Sequence, residues 1–190
     1  HGIGEERQLD FHSPYGCSKG AADQYVLDYA RMYGIRTVSF RQSCIYGYRQ
    51  FGVEDQGWMA WFTIATVLGH PITIFGDGKQ VRDVLFIEDL VDLYEAAMRQ
   101  ADNLSCVACN VGGGTANTLS LLELIGMLEE LSGKRIDHSF ADWRPGDQKV
   151  FIADTRKAKR DFGWEPKTIP REGVKKLYKW VVEHKNIMRL

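Results

Sequence analysis

The chain has 190 residues, 44% hydrophobic and 26% charged, with a formal net charge of -1. That length buries one good core and fits one or at most two small domains. The charge balance lacks the basic excess of a nucleic-acid binder, no apolar run approaches a membrane span, and nothing at the start reads as a signal peptide.

A polar segment, 1–10, leads into a first helix predicted over 14–33. Ser13 suits its N-cap and Pro14 its first turn, and Gly34 ends it. Ala21, Ala22, Tyr25, Val26, Tyr29 and Ala30 form an apolar stripe at helical spacing. Residues 35–41 read as a short apolar strand, and a loop holding Tyr48, Gln50 and Phe51 leads to a helix over 57–68. Strands over 72–75 and 81–86 flank Gly76-Asp77-Gly78-Lys79, a turn signal of the hairpin type. A helix over 88–99, a strand over 107–111 and a helix over 120–131 follow, the last opened by a Ser120 to Glu123 capping box. Strands over 135–140 and 150–153 precede a short helix to 162, capped by Asp154. The final helix, 171–184, carries Val174, Leu177, Tyr178 and Val181 at helical spacing. The alternation gives an α/β fold, without internal repeats or low-complexity linkers.

The most informative chemistry lies at the start of the first helix. Tyr15 and Lys19 are four residues apart and so stack on one face. A tyrosine titrates near pH 10, and an ammonium one turn away favours its charged form, which is how a phenol becomes a base for alcohol oxidation. Taken alone, a Tyr-x-x-x-Lys is weak, since chance supplies one in about a third of chains this long. The four cysteines, Cys17, Cys44, Cys106 and Cys109, do not form a secreted disulfide framework, and a reducing cytoplasm is the simpler setting. Cys106 and Cys109 lie in a strand-like run that sends them to opposite faces, so they read as structural. Gly112-Gly113-Gly114 lacks the later glycine and the Lys-Ser/Thr of a phosphate loop and reads as a connection to the capped helix. His12 is close enough in sequence to line a site but reads as structural or solvated. His70, His138 and His184 have no ligand spacing, and no metal is expected.

The run Ser13-Pro14-Tyr15-Gly16-Cys17-Ser18-Lys19 resembles the active-site helix of the extended short-chain dehydrogenase/reductase family, which holds nucleotide-sugar epimerases and dehydratases. Later blocks match in order: Arg41-Gln42-Ser43-Cys44-Ile45-Tyr46-Gly47, Gly76-Asp77-Gly78-Lys79-Gln80-Val81-Arg82-Asp83, Asn110-Val111-Gly112, Arg144-Pro145-Gly146-Asp147 and Phe162-Gly163-Trp164-Glu165-Pro166. The resemblance implies a C-terminal part of such an enzyme: the active-site helix and last strands of the cofactor-binding domain over 1–56, interleaved with a small α/β nucleotide-sugar domain over 57–190. The glycine-rich N-terminal half of the family is absent from the sequence.

The same resemblance implies the site. Tyr15 and Lys19 are the catalytic pair and, with Ser43, approach NAD; Cys44, Gln50, Arg82 and Arg144 face a nucleotide-diphosphate sugar. Arginine's planar fork suits a diphosphate, although each arginine could instead pair with Asp83 or Asp147. Two departures stand out: Cys44 occurs where many relatives have asparagine, and Tyr48 where proline is common. Cysteine lacks the amide's combined donor and acceptor, and serves as a second acid/base only in a special environment. The runs 8–25, 55–58 and 78–85 are similar to the subgroup that inverts carbon 2 of CDP-linked sugars, by oxidation to a keto sugar and re-reduction on the other face. A homodimer is expected, built on the flank of the first helix and on the strand at 35–41. The alternatives are a 4-epimerase or 4,6-dehydratase of the same family, or a non-catalytic nucleotide-sugar binding module.

Overall fold

The computed structural model describes residues 2–104 and 106–188; His1, at the head of the expected polar segment, lies outside them. Helix α1 (Pro14–Tyr33) begins where Ser13 Oγ accepts from Gly16 N at 3.0 Å and ends at Gly34, whose φ of 65° suits glycine. Strand β1 (Val38–Gln42) then pairs in parallel with β5 (Val107–Val111). After the single residue Ser43, β2 (Cys44–Tyr46) leaves that sheet and pairs in parallel with β4 (Val81–Phe86). Both pairings link residues before 56 to residues after it.

Strand β4 is the hub. Its first half also receives β6 (Thr118–Ser120) antiparallel and β8 (Val150–Phe151) parallel. Its pleat serves two cores, because successive side chains point to opposite faces. Val84 and Phe86 join Tyr46, Ile64, Ile74, Leu124 and Leu177 in one cluster, and Leu85 joins Leu93, Cys109, Val111 and Trp164 in the other. Helices α2 (Trp58–Leu68), α4 (Leu121–Ser132) and α6 (Pro170–Glu183) cover the first cluster, while α3 (Ile87–Arg99) and α5 (Arg156–Phe162) cover the second. Helix α6 sits so close to the sheet that a Cβ on Gly173 would stand 2.0 Å from the Tyr46 hydroxyl.

Three expectations need correction. The strands over 72–75 and 81–86 form, but not as a hairpin: β3 (Ile72–Phe75) pairs in parallel with β7 (His138–Ala141) in a separate two-stranded sheet. The edges of β4 are taken by β2, β6 and β8, and the turn between the strands is held elsewhere, Gly78 O accepting from Leu122 N at 3.1 Å. The apolar stripe of α1 is not its buried face. Gly20, Asp23, Leu27 and Ala30 turn inward, whereas Ala21, Ala22, Tyr25, Val26 and Tyr29 are exposed on the other side. Asp154 does not cap α5 as its N-cap residue, which is Thr155; its carboxylate instead accepts from Arg156 N at 3.0 Å. The capping box at Ser120 forms as expected, with Ser120 Oγ and the Glu123 carboxylate exchanging bonds with each other's backbone N–H.

Candidate active site

Tyr15 and Lys19 lie in the first two turns of α1, both exposed, with Lys19 Nζ 5.7 Å from the centroid of the Tyr15 ring. The pair is thus on one helical face and open to a ligand. Helix α1 is fixed on β1 by Asp23, which accepts from Arg41 Nε at 3.0 Å, Arg41 Nη2 at 2.8 Å and Ser39 Oγ at 2.6 Å. A cleft of about 360 Å³ opens beside the start of the helix, walled on one side by 10–13 and Gly16 and on the other by 144–148. His12 lines it, within 3.1 Å of Asp10, so the structure puts at the cleft a residue that is close enough in sequence to line a site but reads there as structural or solvated.

The arginines reach this region from two segments. Arg82, at the start of β4, pairs with Asp147 at 2.8 Å, the two side chains 19% and 27% exposed. Arg144 pairs with Asp55 at 2.9 Å rather than with Asp147, and its guanidinium lies 3.8 Å from the centroid of the Phe75 ring. Asp147 N donates to Arg144 O at 3.1 Å, closing the Arg-Pro-Gly-Asp turn, so Arg82 on β4 is tied through Asp147 to the loop that carries Arg144. Phe75 carried no sequence signal, and Asp55 only that of the run 55–58, because each acts by its position beside Arg144.

Ser43 occupies the crossover between β1 and β2, its N–H donating to Val111 O at 2.7 Å and its hydroxyl to the Asp83 carboxylate. Asp83 is fully buried and also accepts from Gly114 N at 3.1 Å. Burial raises its carboxyl above the ordinary aspartate range, and the bonds from Ser43, Gly114 and Ala153 only partly oppose that. The three glycines therefore pack against β4: a Cβ on Gly112 would stand 2.0 Å from Asp83 Oδ2, and one on Gly113 2.2 Å from Val84 O. Asp83 belongs to the Arg-Asp block, and burial on a hub strand is what gives it this role.

Cys44 is turned into the first core, where its sulfur accepts from Trp58 Nε1 at 3.1 Å. Burial pushes the thiol up to about 12, the indole N–H opposing this only in part, so the group stays a thiol at neutral pH and cannot act as a base there. Gln50 is folded under the 49–57 loop, its amide donating to Ile45 O at 3.4 Å while Oε1 is buried without a partner. Arg144 thus lines the cleft beside the start of α1, with Arg82 joined to its loop through Asp147, whereas Tyr15 and Lys19 are exposed on the helix and are not among the residues that line the cleft; Cys44 and Gln50 are engaged elsewhere in the fold. Cys109 is buried in the second core and pushed up to about 12 by burial, whereas Cys106 points its sulfur at Leu27 O at 3.3 Å. Among the described residues no group of three or more His, Cys, Asp or Glu is disposed to hold a metal ion, and no helix is long and apolar enough to cross a membrane.

Comparison with known proteins decides the family. The model of the NAD dependent epimerase/dehydratase family matches residues 3–112, more than half of the chain. The chain belongs to that family. It is 49% identical over 187 residues to CDP-paratose 2-epimerase of Salmonella typhi, covering 95% of this chain and 55% of that protein. Among solved structures, UDP-glucuronic acid 4-epimerase from Bacillus cereus, in complex with UDP-glucuronic acid and NAD, superposes with a TM-score of 0.88 at 29% identity over 97% of this chain and 57% of its own. UDP-glucose 4-epimerase from Thermotoga maritima, with UDP-glucose, gives 0.87 at 31% identity over 96% and 58%. This family member therefore spans a little over half the length of the relatives it matches. Its α/β fold agrees with theirs throughout that span.

Proposed function

We propose that the chain is the substrate-side part of an NAD-dependent nucleotide-sugar epimerase that inverts carbon 2 of a CDP-linked sugar. The carrying observation is Tyr15 and Lys19 exposed together on α1, beside a cleft whose far wall is the Arg144 loop. The 49% identity to a CDP-paratose 2-epimerase over 187 residues supports the CDP sugar over the UDP sugars of the 4-epimerases, which reach 32% over 179 residues and 39% over 117.

An inverted hydroxyl-bearing carbon without an acidic hydrogen needs transient oxidation, and bound NAD would supply that redox capacity. The exposed pair of Tyr15 and Lys19 would meet its nicotinamide end, and the half-buried Ser43 would approach it from the crossover between β1 and β2. Tyr15 Oη takes the proton of the sugar hydroxyl and returns it after the keto sugar has presented its other face. Lys19 keeps a cation beside the phenol throughout. Arg82 and Arg144 hold the diphosphate from two segments, so the sugar end is free to turn.

Calorimetric titration with CDP, UDP, dTDP and GDP tests the substrate class. CDP is expected to bind selectively, and Arg82→Ala or Arg144→Ala to weaken it by about 10- to 100-fold, the loss of one charged hydrogen-bonding partner. Preference for UDP or dTDP would leave a nucleotide-sugar enzyme but remove the CDP assignment. Silence from all four nucleotides, or unchanged binding in both variants, would remove the nucleotide site.

A second copy is the proposed cover for the outer face of α1. Tyr25, Tyr29, Met32 and Tyr33 are each more than half exposed there. Light scattering is expected to give a dimer that Tyr29→Glu converts to a monomer; a strict monomer at high concentration would contradict this.

A further inference from the structure

Arg144 is already engaged from within the chain. Its guanidinium plane lies against the Phe75 ring, which leaves the edge for hydrogen bonding. On that edge Nη2 is engaged, paired with Asp55 Oδ1 at 2.9 Å and donating to the Glu54 carbonyl at 3.2 Å. Glu54 and Asp55 form the tip of a closed turn, in which Val53 N donates to Gln56 O at 2.9 Å and Gln56 N to Val53 O at 3.0 Å. The base of the turn is pinned to α2: a Cβ on Gly52 would stand 2.5 Å from Trp61 N, and Gly57, at φ 79°, is the N-cap of that helix. The tip, by contrast, is in water, with the Asp55 side chain 89% exposed.

A carboxylate and a phosphoryl group offer a guanidinium the same pair of oxygens. We propose that Asp55 is an internal counter-ion of Arg144, paired with Nη2 until a ligand's phosphoryl oxygens displace it, and that it thereby sets the affinity of the site. The inference rests on Arg144 being a diphosphate contact. Displacement is cheap because an exposed pair contributes little, and Phe75 keeps the guanidinium plane oriented after Asp55 leaves. Arg82 differs, since its partner Asp147 is held in the Arg144 turn and is 27% exposed at its side chain, against 89% for Asp55. The exposed end at Asp55 is where release begins.

The test is calorimetric titration of CDP into the wild-type chain and four variants, each checked by circular dichroism. Asp55→Asn is expected to bind CDP roughly two- to fivefold tighter, the worth of one exposed ion pair. Asp55→Glu, which restores a carboxylate, returns affinity toward wild type. Glu54→Gln leaves it unchanged, because Glu54 acts through its backbone carbonyl. Arg144→Ala loses at least about tenfold. If Arg144→Ala weakens binding but Asp55→Asn does not tighten it, the counter-ion role is wrong and the diphosphate contact stands. Equal tightening in Glu54→Gln and Asp55→Asn also overturns the role, since it would reflect only the removal of negative charge near an anion. If wild type and Asp55→Asn both fail to bind CDP, or Arg144→Ala binds it like wild type, the diphosphate contact itself fails.

Discussion

Alanine at position 23 is expected to lower the free energy of unfolding by about 3–5 kcal/mol, the cost of stranding one partner of a buried ion pair. The Asp23 side chain is 9% exposed and that of Arg41 21%, and two nitrogens of the guanidinium meet the carboxylate. Burial raises the carboxyl of Asp23, but the bonds from Arg41, Ser39 and Gln24 outweigh it and hold the group below its ordinary value. The sign of the pH dependence follows. Between the folded and the unfolded pKa the unfolded chain binds more protons, so the contribution of Asp23 is complete above the unfolded value near 4 and is lost as pH falls through the folded one. Urea denaturation of wild type and Asp23→Ala should therefore give curves whose separation is largest near neutral pH and shrinks below about pH 4. A separation that ignores pH would mean that the carboxylate charge is not what anchors the helix. Adding Arg41→Met to Asp23→Ala should recover part of the loss, because it removes the stranded cation.

The same pair explains where the sequence was legible and where it was not. Caps and breakers act locally, so Ser13, Gly34 and the Ser120 box marked the helix ends they occupy. Side-chain periodicity says which residues are alike, not which face meets a neighbour. Helix α1 buries a line through Gly20, Asp23, Leu27 and Ala30 because β1 offers Ser39 and Arg41 to an acid there, a preference that depends on residues 16 and 18 positions away. Gly76-Asp77-Gly78-Lys79 looked like a hairpin turn for the same reason: turn chemistry is local, but strand partners are chosen by the whole sheet, and β4 had three others. The ordered family blocks located Tyr15, Lys19, Arg82 and Arg144. Phe75, Trp58 and Asp55 matter through contacts that chain order does not encode.

Replacing Tyr15 by phenylalanine is expected to lower kcat by about 10²- to 10⁴-fold in a turnover-competent protein that carries this chain, the usual contribution of a positioned proton acceptor. The substitution removes one oxygen and keeps the ring. Tyr15 is 65% exposed and its hydroxyl has no partner among the described residues, so neither packing nor a hydrogen bond of the fold is lost. Unfolding curves should then superimpose on those of wild type within about 0.5 kcal/mol. Binding of CDP should also be unchanged, because the proposed diphosphate contacts come from Arg82 and Arg144. A loss confined to kcat would place Tyr15 at the proton in flight. Equal losses in CDP affinity would make it a binding residue, and retained turnover would leave the deprotonation of the sugar hydroxyl to another group. Lys19→Met separates the two members of the pair: it keeps the phenol and removes the cation, so a fall in kcat with CDP affinity unchanged would show that the cation serves the reaction and not the nucleotide.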